Sequence, residues 1–255
     1  GDEFAVLLKK TDKHVASLLA NRIKKIAANT IFCSMPISIA LGVASKTDMK
    51  EKIDKAITEA EEDMYRKKLL ESKSARSAMI LSLEKALFEK SYETEEHTRR
   101  LKAMARKVGK AFGLSDSQLN DLAVLAALHD IGKIAIPEEI IKKPGPLTST
   151  EWEKVKKHSE IGYRIAQSST ELDTIPLGIL HHHERWDGTG YPYGLKGEEI
   201  PLIARVIAVV DAYDVMTHDR PYKKAISEEA AIAELKRCSG SQFDAEVVEM
   251  FIRII

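Results

Sequence analysis

The sequence predicts a mainly α-helical protein: a small α/β segment over residues 1–66, a connecting helix over 67–88 and an all-α bundle over 89–255. Strand-like apolar runs appear near the start of the chain, at 5–8 and 34–45. Later in the chain, apolar residues recur at helical spacing in stretches joined by short loops. These stretches are 94–112, 117–131, 150–167, 202–216 and 227–238.

The N-terminal segment is predicted to be a β-α-β-α unit. The run at 5–8 is followed by helical spacing of apolar residues over 12–28, and the run at 34–45 is followed by a second helical pattern over 51–65. A segment of this size has little room for a complete hydrophobic core.

Residues 61–92 predict the connecting helix. They are rich in charge, carry apolar residues at roughly helical intervals and contain no proline or glycine. A helix with an apolar stripe must bury that stripe against something. Two arrangements are open: pairing with its copy in a second subunit to form a homodimer, and packing on its own chain.

Composition excludes several classes of function. Because 39 basic residues balance 39 acidic ones, no global positive field draws the protein to a DNA or RNA polymer. The longest apolar runs, 37–44 and 202–210, are too short or too interrupted to enter a membrane. Cys33 and Cys238 lack the spacing of a zinc or redox site, which predicts reduced structural thiols in a cytoplasmic protein.

A set of histidines and carboxylates carries the predicted chemistry. It contains five of the eight histidines and no cysteine, so any metal site must use imidazole and carboxylate ligands. Such ligands suit hydrolysis assisted by iron, manganese or zinc. The set comprises Glu93, His97, His129, Asp130, His158, His182, His183 and Asp211.

The positions of these residues predict buried charge. Members of the set follow three apolar segments. His129 and Asp130 follow 122–128, His182 and His183 come shortly after 175–180, and Asp211 follows 203–210. A buried charged group needs a compensating partner, and a metal ion is the simplest one. Glu93 and His97 lie four residues apart on one helix face. Lys133 follows Asp130 within one turn. It therefore places a cation where an oxygen of a metal-bound phosphate would lie.

Three motifs carry a resemblance to a known family. They are His129-Asp130-Ile131-Gly132-Lys133, His182-His183-Glu184 and Gly190-Tyr191-Pro192. Over 89–255 the chain resembles the HD-GYP subgroup of the HD-domain phosphohydrolases. The resemblance implies an all-α HD-type bundle that hydrolyses the bacterial second messenger cyclic di-GMP to the linear dinucleotide pGpG and onward to GMP. It also implies that all eight residues of the histidine and carboxylate set are metal ligands, with Glu93 favouring three metals over two.

The same resemblance implies the cofactors and the roles of the site residues. The metals are two or three divalent ions, iron or manganese first, with zinc, magnesium or nickel as alternatives. Asp130 would bridge two ions that lower the pKa of a shared water, and the resulting hydroxide would attack the phosphorus. Lys133 would stabilise the growing charge on the phosphate. Arg220 and Lys223 resemble the phosphate clamp of the family, and Tyr191 is expected to shape the pocket.

Residues 1–66 resemble the C-terminal half of a GGDEF domain, a family that makes cyclic di-GMP from GTP. The resemblance rests on Gly1-Asp2-Glu3-Phe4, on the strand at 37–44 and on the helix at 60–65. The half that supplies phosphate-binding backbone is absent from this sequence, so synthesis of cyclic di-GMP is not expected.

Two alternatives to the cyclic di-GMP phosphodiesterase stay open on the sequence. One is hydrolysis of another cyclic dinucleotide or phosphoester with the same metals. The other is a non-enzymatic module that senses cyclic di-GMP or binds GGDEF-domain proteins. A substrate panel separates the first from the main prediction, and turnover by the metal-loaded protein excludes the second.

Overall fold

The computed structural model describes residues 3–32, 35–48, 50–219 and 224–255. The residues with predictions that lie outside these ranges include Gly1, Asp2, Cys33, Arg220 and Lys223. The chain forms two compact units, the first ending at Ala78 and the second beginning at Met79. Helices dominate the described residues, so the mainly α-helical prediction is confirmed. None of these helices is both long and apolar enough to cross a lipid bilayer.

Helix α1 (Lys13–Ala28) begins the regular structure of the first unit, in agreement with the helical pattern over 12–28. Its N-terminus is capped by Asp12, whose carboxylate accepts a hydrogen bond from the backbone N–H of Val15 at 2.8 Å. An antiparallel hairpin follows, made of the two-residue strands β1 (Ile31–Phe32) and β2 (Met35–Pro36).

The predictions of longer strands in this unit are wrong. Residues 5–8 have no regular structure, and β2 is the only strand among the described residues of 34–45. A strand needs a neighbour to satisfy its backbone groups, and the described residues before position 49 provide only the short hairpin. Residues 39–45 are instead half-buried, and the N–H of Val43 donates to the Asp63 carboxylate at 3.0 Å.

Helix α2 (Ile53–Lys90) is a single helix of 38 residues. It includes most of the helix predicted at 51–65 and most of the charged stretch 61–92, because no proline or glycine interrupts that sequence. Its last turns belong to the second unit, where Leu87 is buried.

The second unit consists of helices joined by short loops. The helices are α3 (Glu95–Ala111), α4 (Asp116–Leu128), α5 (Glu138–Ile141), α6 (Ser149–Lys156), α7 (His158–Gln167), α8 (Pro176–His181), α9 (Leu202–Thr217), α10 (Glu228–Cys238) and α11 (Ala245–Ile254). Turns of 3-10 helix lie at Ile131–Ala135, Thr170–Leu172 and Gly197–Glu199. The patterns over 94–112, 202–216 and 227–238 are therefore confirmed as helices.

Two predicted helices are not continuous over the whole of their apolar patterns. The helix predicted at 117–131 ends at Leu128 and is followed by the 3-10 turn at Ile131–Ala135. The helix predicted at 150–167 is divided in two at Lys157. The 3-10 turn packs closely on α7 through Gly132. A Cβ atom at this position would lie 1.9 Å from the carbonyl oxygen of His158, so the contact requires glycine.

The core of the second unit lies between α3, α4, α8, α9 and α11. The side chains of Leu101, Leu122, Ile179, Val210 and Phe251 are completely buried there. Burial of one such side chain contributes roughly 1.5–3 kcal/mol. The helices are therefore held firmly in place, and the residues at their ends are held with them.

Candidate metal centre

The predicted ligands converge within the second unit. They form two groups, and within each group one ligand atom per residue lies within 4.8 Å of the others. The first group is Asp130, His158, His182 and His183, and the second is His97, His129 and Asp211. Each group combines residues from helices that are far apart in sequence.

In the first group, the carboxylate of Asp130 faces the imidazoles. Its Oδ1 atom lies 3.2 Å from Nε2 of His158 and 3.8 Å from Nε2 of His182. The two Nε2 atoms are themselves 3.3 Å apart. Two imidazole nitrogens this close repel each other when both carry lone pairs, and a cation between them removes that repulsion.

The second group adjoins the first through the same aspartate. Oδ2 of Asp130 lies 3.3 Å from Nε2 of His129, so the two oxygens of Asp130 face different groups. Within the second group, Nε2 of His97 lies 3.5 Å from Oδ1 of Asp211. Glu93 lies beside this group, with Oε2 3.1 Å from the same Nε2 atom of His97.

The backbone orients three of the histidines predicted to be ligands. In His129, His158 and His182, the Nδ1–H group donates to the carbonyl oxygen of the third residue before it, and Nε2 is left to accept. The acceptors are Ala126, Val155 and Ile179, at 3.1, 2.7 and 2.6 Å. A hydrogen bond at the far ring nitrogen is how proteins fix the tautomer of a metal-binding histidine.

Two buried atoms test whether metal ions fit this arrangement. Nε2 of His129 and Oδ1 of Asp130 make no hydrogen bond to any part of the chain that the structure describes. Such an atom costs about 1–3 kcal/mol when it stays unsatisfied, and a cation bound at each of the two groups would remove the cost. Imidazole nitrogen and carboxylate oxygen are suitable donors for divalent iron, manganese and zinc. The residues present therefore fit divalent metal ions.

The charges of the site also suit metal binding. Burial lowers the pKa of His182 to about 4 and lowers that of His183 well below its usual value, so both are neutral at pH 7. Burial opposes the charged form of His129 as well, but the nearby carboxylates of Asp130, Asp211 and Glu93 raise its pKa to about 9. This surplus of negative charge attracts a cation, whether it is a proton or a metal ion.

Lys133 brings the positive charge that the sequence predicts. Its ammonium donates to Oδ2 of Asp130 at 2.5 Å and to Oε1 of Glu93 at 3.2 Å. Burial disfavours the charged amine, but these two carboxylates more than compensate and raise the pKa of Lys133. The ammonium is therefore retained at neutral pH beside both ligand groups.

Asp214 is a residue of the candidate site that the sequence interpretation missed. It has no exposed side-chain surface, and its Oδ2 accepts a hydrogen bond from Nδ1 of His97 at 2.6 Å. Arg100 donates to both oxygens of the same carboxylate, at 2.5 and 2.9 Å. The Asp214 carboxylate therefore orients the ring of His97 and fixes its tautomer, as backbone carbonyls do for His129, His158 and His182. Its position in the apolar helix α9, three residues after Asp211, was the available signal.

The Gly190-Tyr191-Pro192 motif closes one side of the first group. The ring of Tyr191 lies 4.9 Å from that of His183. A Cβ atom on Gly190 would lie 2.3 Å from the backbone nitrogen of Arg185, so glycine lets this loop approach the histidine pair. The buried carboxylate of Glu184 accepts hydrogen bonds from the N–H groups of Tyr193 and Leu195 at 2.8 and 3.1 Å, which fixes the loop.

The chain is similar to known enzymes of one family. It is 42% identical over 165 residues to a cyclic di-GMP phosphodiesterase of Thermotoga maritima, covering 64% of this chain and 45% of the relative. It is 32% identical over 186 residues to the 3'3'-cGAMP-specific phosphodiesterase 2 of Vibrio cholerae, covering 72% of this chain and 36% of the relative. The chain thus spans less than half the length of these two relatives.

A solved structure shows the same fold. The cyclic GMP-AMP-specific phosphodiesterase V-cGAP3 of Vibrio cholerae aligns with a TM-score of 0.52 and 23% identity, over 69% of this chain and 47% of its own. The family model of the HD domain matches residues 81–247, a range that holds both ligand groups. The chain therefore belongs to the HD-domain family.

Proposed function

We propose that this chain is a metal-dependent phosphodiesterase that hydrolyses cyclic di-GMP to the linear dinucleotide pGpG and onward to GMP. The observation that carries the proposal is the position of Asp130, whose two oxygens face two separate groups of ligands. The name of the Thermotoga maritima relative supports the choice of cyclic di-GMP as substrate.

The two ligand groups are proposed to hold one divalent ion each, iron or manganese first, with zinc, magnesium or nickel as alternatives. Asp130 would be shared between the ions, and Glu93 would serve a third. Bound ions of this kind lower the pKa of a coordinated water and stabilise negative charge on phosphate.

The side chains around the ions have separate proposed roles. Lys133 donates a hydrogen bond to a phosphate oxygen and stabilises its charge as the bond to the leaving oxygen breaks. Tyr191 forms a wall of the pocket beside the first group and shapes it. Arg220 and Lys223, outside the described residues, are proposed to clamp the phosphates.

Several wider predictions stay proposals. Residues 1–66 are proposed to be half of a GGDEF domain, 67–88 the connecting helix and 89–255 the phosphodiesterase domain. GGDEF-domain proteins, and a second copy of the chain joined through α2, are the proposed protein partners. The cytoplasm is the proposed location.

A second substrate is favoured by one relative. The 3'3'-cGAMP-specific phosphodiesterase of Vibrio cholerae is 32% identical to this chain, and that substrate differs from cyclic di-GMP in one base. The same metal ligands serve either reaction, so the choice between them depends on the residues that face the bases.

The deciding experiment is hydrolysis of a panel of cyclic dinucleotides by protein purified without oxygen and supplied with ferrous iron or manganese. Chromatography should show pGpG or GMP formed from cyclic di-GMP by the wild type, and no product from an Asp130→Ala variant. Faster hydrolysis of 3'3'-cGAMP would transfer the assignment to the alternative. Complete inactivity of the metal-loaded wild type would reject both and favour the sensing module.

A further inference from the structure

Aromatic rings lead outward from the first ligand group to the surface. The Tyr191 ring lies 4.9 Å from the His183 ring at an angle of 31°, and the Trp152 indole lies 6.2 Å from Tyr191 at 82°. Trp152 is 45% exposed, although large aromatic side chains usually bury most of their surface. An open indole therefore lies two rings away from a proposed metal ligand.

The support of Trp152 is rigid. Thr148 and Glu151 form a reciprocal cap at the start of α6, in which the N–H of Thr148 donates to the Glu151 carboxylate at 2.7 Å. Lys143 donates to the same carboxylate at 2.7 Å. Because the residue before Trp152 is held in this way, the backbone that carries the indole is fixed, and a flat ligand would meet a surface that is already in place.

A cation accompanies the aromatic surface. Lys156 follows Trp152 by one helical turn, and its Nζ atom lies 5.9 Å from the centre of the Tyr191 ring. Surfaces that bind nucleotides combine these two features, because every base has a face that stacks on aromatic rings and every phosphate is negatively charged.

We propose that Trp152 is the surface on which a purine base of the substrate stacks, and that it selects nucleotides over phosphodiesters without bases. The proposal rests on the proposed function, since a cyclic dinucleotide carries a base close to each phosphate. The phosphate is held at the ligand groups, and one base extends past Tyr191 to the indole. Trp152 is thus a specificity residue that acts on substrate binding.

The test compares Trp152→Leu with Trp152→Phe in the metal-loaded chain. Leucine keeps an apolar side chain beside Tyr191 without an aromatic face, whereas phenylalanine keeps the face. Each protein is assayed with cyclic di-GMP and with bis(4-nitrophenyl) phosphate, which has no base. We expect the ratio of kcat/KM for cyclic di-GMP to that for bis(4-nitrophenyl) phosphate to fall about tenfold in Trp152→Leu, through KM, and to recover in Trp152→Phe.

The outcomes separate the two proposals. If wild type hydrolyses cyclic di-GMP and the ratio is the same in all three proteins, the stacking proposal is wrong and the proposed function stands. A parallel loss of kcat with both substrates, without a change in KM, would assign Trp152 a purely structural role and also overturn it. If wild type hydrolyses only bis(4-nitrophenyl) phosphate, the proposed function is wrong, and the base-stacking role is rejected with it.

Discussion

Replacement of Asp214 by asparagine tests how the second ligand group is held. Burial alone would raise the pKa of Asp214, but hydrogen bonds from Arg100 and His97 outweigh it and lower the pKa from 3.8 to about 2. One pKa unit corresponds to about 1.4 kcal/mol. The ionised carboxylate therefore contributes about 2 kcal/mol to the free energy of unfolding at neutral pH.

The sign of the pH dependence follows from the direction of the shift. Because the pKa is lower in the folded state, the contribution is complete above the unfolded value of 3.8 and is lost as the pH falls through about 2. Asparagine resembles the protonated acid. Asp214→Asn should therefore lower the free energy of unfolding by about 2 kcal/mol at pH 7, and its deficit relative to wild type should shrink between pH 4 and pH 2.

The assay is urea unfolding of EDTA-treated protein across this pH range, with the exposed Asp116→Asn as a control that should change little. Titration with manganese at pH 7 adds a second readout, because loss of a carboxylate behind a ligand histidine typically weakens metal binding by about 10–100-fold. If the deficit in the free energy of unfolding stayed constant down to pH 2, the ionised Asp214 carboxylate would not be its source. If the affinity for manganese were unchanged, Asp214 would not support metal binding by His97.

The remaining predictions concern the residues around the ligands. Gly132→Ala forces a Cβ atom against the His158 carbonyl oxygen. This variant should lower the free energy of unfolding by about 1–3 kcal/mol, measured by denaturation, and reduce the metal content, measured by elemental analysis. Glu184→Gln weakens two hydrogen bonds to the loop and should speed hydrogen exchange at the backbone N–H groups of Tyr193 and Leu195. The control Glu198→Gln, at an exposed position, should leave these exchange rates unchanged. Lys133→Met should lower kcat for cyclic di-GMP about 100-fold and retain metal, because it leaves Asp130 and Glu93 available as ligands; full activity would contradict this.

The helices and most of the site could be predicted from local sequence. Apolar spacing is a property of one segment, so α3, α9 and α10 follow from it directly. Candidate ligands such as His129 and Asp211 could be recognised because they follow or interrupt apolar segments, where an unpaired charge is costly. These signals need no knowledge of which segments meet in space.

Features that depend on contacts between distant segments could not be predicted in this way. The run at 34–45 has the composition of a strand, but a strand also needs a partner, and the described residues before position 49 offer only a two-residue hairpin. Asp214 was missed because its partners, His97 and Arg100, lie more than 100 residues earlier. The break between α6 and α7 at Lys157 was not predicted, because no glycine or proline marks it in the sequence.

The two ligand groups differ in chemistry, and this difference follows from the residues behind them. The first group offers three imidazoles, two of them oriented by neutral carbonyls, and its one carboxylate is shared. The second offers two imidazoles and Asp211, with Glu93 adjacent and the ionised Asp214 behind His97. Oxygen-rich, negatively charged sites favour harder ions, and imidazole-rich sites favour ions such as zinc or iron. We therefore predict that the two groups bind divalent ions with unequal affinity and that manganese is favoured at the group that contains Asp211, which metal titration followed by elemental analysis would test.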